Sequence, residues 1–286
     1  MDKLVQPGWL EENLDGPDLR ILDCSVVFER PGGVLNIESG RERWSQEHIP
    51  GSAHVDLTTE LADQSAELMF MMPPTEQFVS AMESVGVGEG TRVVLYDFDM
   101  NMWAARVWWM LHSVGFDTAG LLDGGLRRWK SEGRPVTADP APRHLAATLA
   151  ARPRPGVFVG KDEVLAAIED DDTSIVDALP AAHYNGETQY YPRRGHIPTA
   201  VNVPAGALVD HGTHAYAETD ELRRLAAPAL EAGTNRKIAY CGGGISAAST
   251  AFALSLLGEA QVSIYDASLG EWAPDPSLPL ENPADG

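Results

Sequence analysis

Short apolar runs alternate with longer segments of helical character along most of the chain. The runs rich in β-branched residues are bounded by turn-forming residues and predict buried strands at 20–28, 91–97, 173–178 and 236–241. Between them, segments 103–114 and 246–257 predict helices, because each ends just before a glycine, Gly115 or Gly258. This alternation predicts an α/β fold in which mainly parallel sheets carry helices on both faces.

The two halves of the chain repeat one another. Four pairs of similar segments occur in the same order, namely 21–23 with 175–177, 48–50 with 196–198, 92–97 with 236–241, and 123–129 with 266–272. Such a long repeat indicates two homologous globular domains rather than a solenoid. We predict one domain at 1–134 and a second at 156–286, joined by a linker rich in Pro and Ala at 135–155.

Composition narrows the possible partners. The 286 residues include 42 acidic and 21 basic side chains, a net charge of −21. A surface this negative repels nucleic acid and anionic lipid, so neither is an expected partner. No apolar run is long enough for a membrane-spanning helix, and the first residues lack the pattern of a signal peptide. A cytoplasmic location is expected, and the oligomeric state stays open.

The cysteine count also limits the chemistry. Two cysteines, Cys24 and Cys241, can form neither a disulfide framework nor a four-cysteine metal site. We therefore expect no metal and no organic cofactor, and any functional cysteine must act as a single thiol. Cys24 lies within a predicted buried strand and is expected to be inert packing.

Cys241 has a distinctive setting. It lies at the end of the strand predicted at 236–241. Three glycines and a helix of small residues follow it, in the sequence Gly242, Gly243, Gly244, Ile245, Ser246 and Ala247. Glycines let successive N–H groups converge, and the helix N-terminus adds positive charge, so negative charge on the sulfur is stabilised. Gly243 and Gly244 are expected to be required for this backbone shape, Gly244 through a positive φ. In the first copy Asp97 occupies the place of the cysteine, and its loop contains no glycine.

These residues carry a resemblance. The segment Cys-Gly-Gly-Gly-Ile-Ser-Ala at 241–247 resembles the active-site loop of rhodanese-type sulfurtransferases, and His-Ile-Pro at 48–50 and 196–198 resembles a recurrent motif of the same family. The resemblance extends over nearly the whole chain. It implies two tandem rhodanese-like domains, the first inactive with Asp97 in place of cysteine and the second catalytic. The implied reaction takes sulfane sulfur from an anionic donor, thiosulfate or 3-mercaptopyruvate, onto Cys241 as a persulfide and passes it to cyanide or a thiol.

The loop after Cys241 also differs from the two loop sequences that are usual in the family. Thiosulfate-type members usually carry Arg-Lys after the cysteine, and mercaptopyruvate-type members usually carry Gly-Ser-Gly, whereas this chain has three glycines. Gly243 therefore replaces the serine of the second group. His183 stands where many members place a substrate-binding arginine, and it would help to bind an anion only when protonated. The Michaelis constant for the donor is then expected to rise as the pH passes about 6.5.

Three further residues are candidates with alternative interpretations. Arg193 and Arg194 lie near a second arginine position of the family, and one of them is expected to contact the donor. His48 either reaches the active site, as in some members, or is a structural turn residue, since His196 is its twin.

Two other functions compete with sulfur transfer. A cysteine phosphatase needs an arginine six residues after its cysteine, but that position is Ala247, so this function is excluded. A non-catalytic rhodanese-like module that binds a protein or carries sulfur stays as the alternative.

Overall fold

The chain divides into two compact units. A computed structural model describes residues 1–29, 35–144 and 147–285. The first unit contains Met1–Arg154 together with His211–Ala215, and the second contains Pro155–Asp210 and Tyr216–Gly286.

The first unit is built on a five-stranded parallel sheet. The strands of this unit, inside and outside the sheet, are β1 (Leu4–Val5), β2 (Leu19–Asp23), β3 (Val26–Glu29), β4 (Asn36–Ser39), β5 (Ser52–His54), β6 (Arg92–Tyr96) and β7 (Ala119–Leu122). The sheet order is β1-β7-β6-β2-β5, while β3 and β4 form a separate antiparallel hairpin. Its helices are α1 (Pro7–Asn13), α2 (Arg41–Gln46), α3 (Thr75–Ser84), α4 (Met102–Ser113) and α5 (Gly125–Ser131).

The second unit repeats this plan. Its strands are β8 (Phe158–Val159), β9 (Thr173–Asp177), β10 (Val201–Asn202), β11 (Arg236–Tyr240) and β12 (Gln261–Tyr265). The sheet order is β10-β9-β11-β12-β8, and every pairing is parallel. Its helices are α6 (Lys161–Ala167), α7 (Ala181–Tyr184), α8 (Thr219–Leu225), α9 (Ala227–Leu230), α10 (Ile245–Leu256) and α11 (Ser268–Trp272), with short 3₁₀ turns at Ala205–Ala207 and Pro283–Asp285.

The two sheets share order and register. When β5 is matched with β10, the strands of both units occur in the same sequence across the sheet. Asp23 is paired with Tyr96 in the first unit, and Asp177 with Tyr240 in the second. The predicted α/β fold and its tandem duplication are confirmed.

The central strands position the loops that follow them. In both β6 and β11 the last four residues are buried, as expected for a parallel strand covered on both faces. The carboxyl ends of parallel strands lie at one edge of a sheet, so the loops before α4 and α10 occupy equivalent places in their units. Within the described residues, no helix is long and apolar enough to cross a membrane.

The expected linker at 135–155 needs correction. Residues up to Arg154 belong to the first unit. Thr137 and His48 exchange two backbone hydrogen bonds of 2.9 Å, and the Arg152 N–H donates to the Val114 carbonyl at 2.7 Å. Pro and Ala suggested a free connection, but these backbone contacts attach the segment to the first unit, and the division falls between Arg154 and Pro155.

Candidate active site

Cys241 lies where the chain turns from β11 into α10. The turn contains Cys241 and three glycines, and the first helical residues are Ile245, Ser246 and Ala247. Gly244 has a φ of 75°, as predicted, a conformation that glycine adopts without steric strain. Gly243 is different, because its φ is not positive and an added Cβ would meet no described atom within 4 Å beyond its chain neighbours. The expected need for glycine at position 243 is therefore corrected.

A serine from the next helix holds this turn. The Ser268 hydroxyl accepts the N–H of Cys241 at 3.1 Å and the N–H of Gly244 at 3.2 Å, and it donates to the Tyr265 carbonyl at 2.8 Å. Ser268 is fully buried and has a φ of 52°. The Gly244 N–H, expected to point to the sulfur, is thus bonded to Ser268.

The equivalent turn of the first unit is filled by its own side chain. The Asp97 carboxyl accepts four backbone N–H groups, those of Asp99, Asn101, Trp103 and Ala104, at 2.8–3.1 Å. Burial raises the pKa of Asp97 to about 8, although these N–H donors act in the opposite direction. Asn101 precedes α4 with a φ of 60°, as Gly244 precedes α10. In each unit the residue just before the helix has a positive φ, although the turn of the first unit is one residue longer. In that longer turn, N–H groups converge on acceptor oxygens.

Tyr191, in the segment after β9, reaches the turn that contains Cys241. A Cβ built on Gly242 would overlap the Tyr191 hydroxyl oxygen and lie 3.2 Å from Tyr191 Cζ. Real Cβ atoms do not tolerate such an overlap with an oxygen. Glycine at 242 and tyrosine at 191 are therefore matched to one another.

His183 packs beside this tyrosine. Its ring is 3% exposed, lies 5.5 Å edge-on from the Tyr191 ring and stacks on Tyr190 at 5.8 Å. Neither ring nitrogen has a hydrogen-bond partner among the described residues. Burial lowers the pKa of His183, so its titration falls below the expected pH of about 6.5 and its ring is mainly neutral at pH 7. This corrects the expectation that protonated His183 supports donor binding near neutral pH.

The two candidate arginines have different surroundings. Arg193 donates to four backbone carbonyls, those of Trp272, Ala273, Asp275 and Leu278, at 2.6–2.9 Å. Its guanidinium is committed to holding the chain after α11, so Arg194 is the member of the pair that stays a candidate for the expected contact with the donor. Arg194 is exposed and donates through Nε to the Gln189 side chain at 3.0 Å, so it is the one arginine of the pair with a guanidinium face open to solvent.

His48 has the same local role as its twin. His48 Nδ1 lies 2.6 Å from the Trp44 carbonyl, and His196 Nδ1 lies 2.8 Å from the Tyr184 carbonyl. His48 is only 1% exposed and stacks on Trp44. These contacts favour the interpretation of His48 as a structural turn residue.

The two cysteines differ in their surroundings. Cys24 is fully buried, and burial together with the Asp23 and Asp97 carboxyls raises the pKa of its thiol well above the usual value. Such a thiol stays protonated and unreactive. Cys241 is 2% exposed and adjoins the glycine turn. In the described ranges, no three His, Cys, Asp or Glu side chains are grouped as metal ligands.

Sequence reasoning missed Ser268 and Tyr191. The sequence signal for Ser268 is its alignment with Gly125 in the repeat, and the structure shows that both residues have a positive φ, 53° at Gly125 and 52° at Ser268. A non-glycine residue held in that conformation indicates that its side chain has a role. For Tyr191 no comparable signal exists, since its contact with Gly242 joins residues far apart in the chain.

Comparisons with known proteins agree with this geometry. The model of the rhodanese-like domain matches residues 6–132 and 160–275. The 3-mercaptopyruvate sulfurtransferase of Escherichia coli K12 is 32% identical over 97% of both chains. The thiosulfate sulfurtransferase of Bos taurus is also 32% identical, over 94% of this chain and 91% of its own. The crystal structure of SseA from Escherichia coli superposes with a TM-score of 0.79 at 32% identity, covering 94% of this chain and 99% of SseA.

Proposed function

Because this chain belongs to the rhodanese family and is a sulfurtransferase, we propose that Cys241 carries a sulfane sulfur between donor and acceptor as a persulfide. The observation that supports this most is the comparison of the two turns. At the start of α4, the N–H groups of Trp103 and Ala104 bind the Asp97 carboxyl. Ser246 and Ala247 hold the same helical positions at the start of α10, where Cys241 replaces the aspartate.

The helix start thus suits negative charge on the sulfur. The first N–H groups of α10 have no acceptor within the helix, and the helix dipole places positive potential at the same point. A thiolate, and the anion of a persulfide, gain from both effects, whereas a neutral thiol gains little. Position and charge together favour a cysteine that attacks and then holds sulfur.

The reaction has two steps. In the first, the Cys241 thiolate attacks the sulfur that the donor transfers, which is the sulfane sulfur of thiosulfate or the thiol sulfur of 3-mercaptopyruvate. An S–S bond forms, and the bond between that sulfur and the rest of the donor breaks. In the second, cyanide or a thiolate attacks the outer sulfur, and Cys241 leaves as thiolate. No electron donor from outside is needed. Thiosulfate already holds the transferred sulfur at the sulfane level, and with 3-mercaptopyruvate the oxidation of the thiol sulfur is matched by reduction of the carbon that leaves as the enolate of pyruvate.

We propose 3-mercaptopyruvate as the preferred donor. Thiosulfate-type members usually carry arginine directly after the cysteine, but a Cβ at Gly242 would overlap the Tyr191 hydroxyl. Mercaptopyruvate-type members usually carry glycine there and serine next, and position 243 has room for a side chain. Sequence identity does not separate the two donors, since relatives of both kinds are 32% identical.

Arg194 is the proposed charge partner of the donor carboxylate. The protein carries a net charge of −21, so an anionic donor needs a local positive group. Arg193 is committed to backbone carbonyls, and burial lowers the pKa of His183. The exposed guanidinium of Arg194 and the start of α10 supply the positive charge.

The test is mass spectrometry of the full chain after incubation with one donor at a time. The peptide containing Cys241 should gain one sulfur atom, more rapidly from 3-mercaptopyruvate than from thiosulfate. Cys241→Ser should abolish the gain, and Cys24→Ser, the matched control, should keep it with about 1–2 kcal/mol of destabilisation. No gain on Cys241 from any donor would instead support the non-catalytic module.

A further inference from the structure

The proposed reaction with 3-mercaptopyruvate requires a proton donor for the leaving group, and the turn that contains Cys241 has no serine at position 243 to supply it. When the C–S bond breaks, its electron pair stays on the leaving group, which departs as the enolate of pyruvate and must take up a proton. Proton transfer to such a group by a positioned side chain accelerates reactions by about 10²–10⁴-fold. Gly243 stands at the position where the related loop carries a serine, so the turn brings no hydroxyl of its own at that point.

Tyr191 brings a hydroxyl to the neighbouring position. Its oxygen lies where a Cβ of residue 242 would be, directly beside the residue that follows Cys241. The ring is held there by His183, which packs edge-on against it at 5.5 Å and is itself stacked on Tyr190. The segment that carries Tyr191 follows β9, which pairs with β11 in the sheet, so both arrive at the same edge.

We propose that Tyr191 is a catalytic residue whose hydroxyl protonates the leaving enolate, in place of the serine that this chain lacks. The inference rests on the proposed function. The Cys241 thiolate attacks the sulfur of 3-mercaptopyruvate, the new S–S bond forms as the C–S bond breaks, and the electron pair passes to the enolate. Tyr191 donates its proton to the enolate, and pyruvate is released. The tyrosinate recovers a proton from the persulfide S–H, which leaves the persulfide anion on Cys241.

Protonation of the leaving group by Tyr191 would speed the reaction of some donors and not of others. Thiosulfate releases sulfite, which departs as an anion and needs no proton during the step. Inorganic polysulfide likewise loses a polysulfide anion. The hydroxyl of Tyr191 should therefore matter for 3-mercaptopyruvate and not for these two donors. A merely structural tyrosine would affect all donors alike.

The decisive variant is Tyr191→Phe, which removes one oxygen and keeps the ring. Single-turnover release of pyruvate from 3-mercaptopyruvate should slow by about 10²-fold, with a Michaelis constant within about threefold of the original. Loading of Cys241 from thiosulfate or polysulfide, measured by mass spectrometry, should stay within about twofold. Equal slowing with all donors, or no slowing with 3-mercaptopyruvate, would overturn the proposal.

A rescue experiment makes the test independent of folding defects. Because position 243 has open space and no positive φ, Gly243→Ser adds a hydroxyl to the turn without strain. In the Tyr191→Phe background, Gly243→Ser should raise the rate of pyruvate release at least about tenfold, whereas Gly243→Ala should not raise it. Equal effects of serine and alanine would count against a missing hydroxyl. Failure of the original protein to load sulfur onto Cys241 at all would instead refute the proposed function.

Discussion

The Tyr191 hydroxyl oxygen overlaps the position that a Cβ atom at Gly242 would take, so a larger residue at 242 would force the tyrosine side chain to shift. They are separated in sequence by β10, α8, α9 and β11, but the adjacent parallel strands β9 and β11 bring them together. A tight contact of this kind favours glycine at position 242, because a side chain there would require Tyr191 to move.

The first prediction follows from this contact. Gly242→Ala should lower the free energy of unfolding by about 1–3 kcal/mol, because the methyl group forces the tyrosine to move. Gly243→Ala, one residue away, should change it by less than about 0.5 kcal/mol. With Tyr191→Phe the nearest remaining ring atom is 3.2 Å from the new Cβ, so the cost of Gly242→Ala should fall by more than half. A double-mutant cycle in urea measures this coupling, and simple additivity would contradict it.

The fold was accessible from sequence because its signals are local and repeated. Strand runs, glycine stops and the duplicated segments predict two parallel α/β sheets, and the position of Cys241 follows from the rule that ligands meet strand ends. One strand was predicted too long. The run at 20–28 is divided, since the Asp23 carboxylate accepts the Ser25 N–H at 2.8 Å and the chain leaves the sheet.

The details of the site depend on contacts that no local pattern records. Arg193 and the carbonyls it holds are 79 to 85 residues apart, so its charge alone suggested an anion partner. Ser268 reaches Cys241 across 27 residues. The type of a residue limits which contacts its side chain is able to make. Which partner it contacts depends on the sheet, because the sheet places loops that are distant in sequence side by side.

The second prediction distinguishes the adjacent arginines. Arg194→Ala should raise the Michaelis constant for 3-mercaptopyruvate by about tenfold, the contribution of one charge-assisted hydrogen bond, with little change in stability. Arg193→Ala should mainly destabilise the second unit, by about 2 kcal/mol or more, because four carbonyls lose their donor. Steady-state kinetics and urea unfolding on the same preparations separate the two effects. A changed Michaelis constant for the Arg193 variant at unchanged stability would reverse the assignment.

The third prediction concerns the turn of the first unit. Asp97→Ala leaves four N–H groups without their acceptor and should destabilise the unit by about 2–4 kcal/mol. The emptied turn should then bind a small anion. Phosphate, at constant ionic strength, should raise the melting temperature of the variant by more than that of the original protein. Equal increases in both proteins would show that these N–H groups do not form an anion site.

The fourth prediction is a pH dependence that originates at Asp177. Burial raises its pKa to about 7, while it accepts the Leu179 N–H and the Tyr240 hydroxyl, each at 2.8 Å. The folded state thus keeps a proton that the unfolded chain releases near pH 4. The stabilisation is complete below about pH 4 and is lost as the pH rises through about 7. Because an asparagine side chain is neutral like the protonated acid, Asp177→Asn should flatten this dependence.

Hydrogen exchange on the full chain provides the measurement. The opening free energy of the amides in Thr173–Asp177 should fall between pH 4 and pH 7 in the original protein, and less in Asp177→Asn. Asp171→Asn, at an exposed position of the same unit, should follow the original protein. The difference between the original protein and Asp177→Asn should become constant above about pH 8, since Asp177 is then ionised in both states. Parallel curves for the original protein and Asp177→Asn over the whole range would show that the raised pKa of Asp177 does not control the stability of this strand.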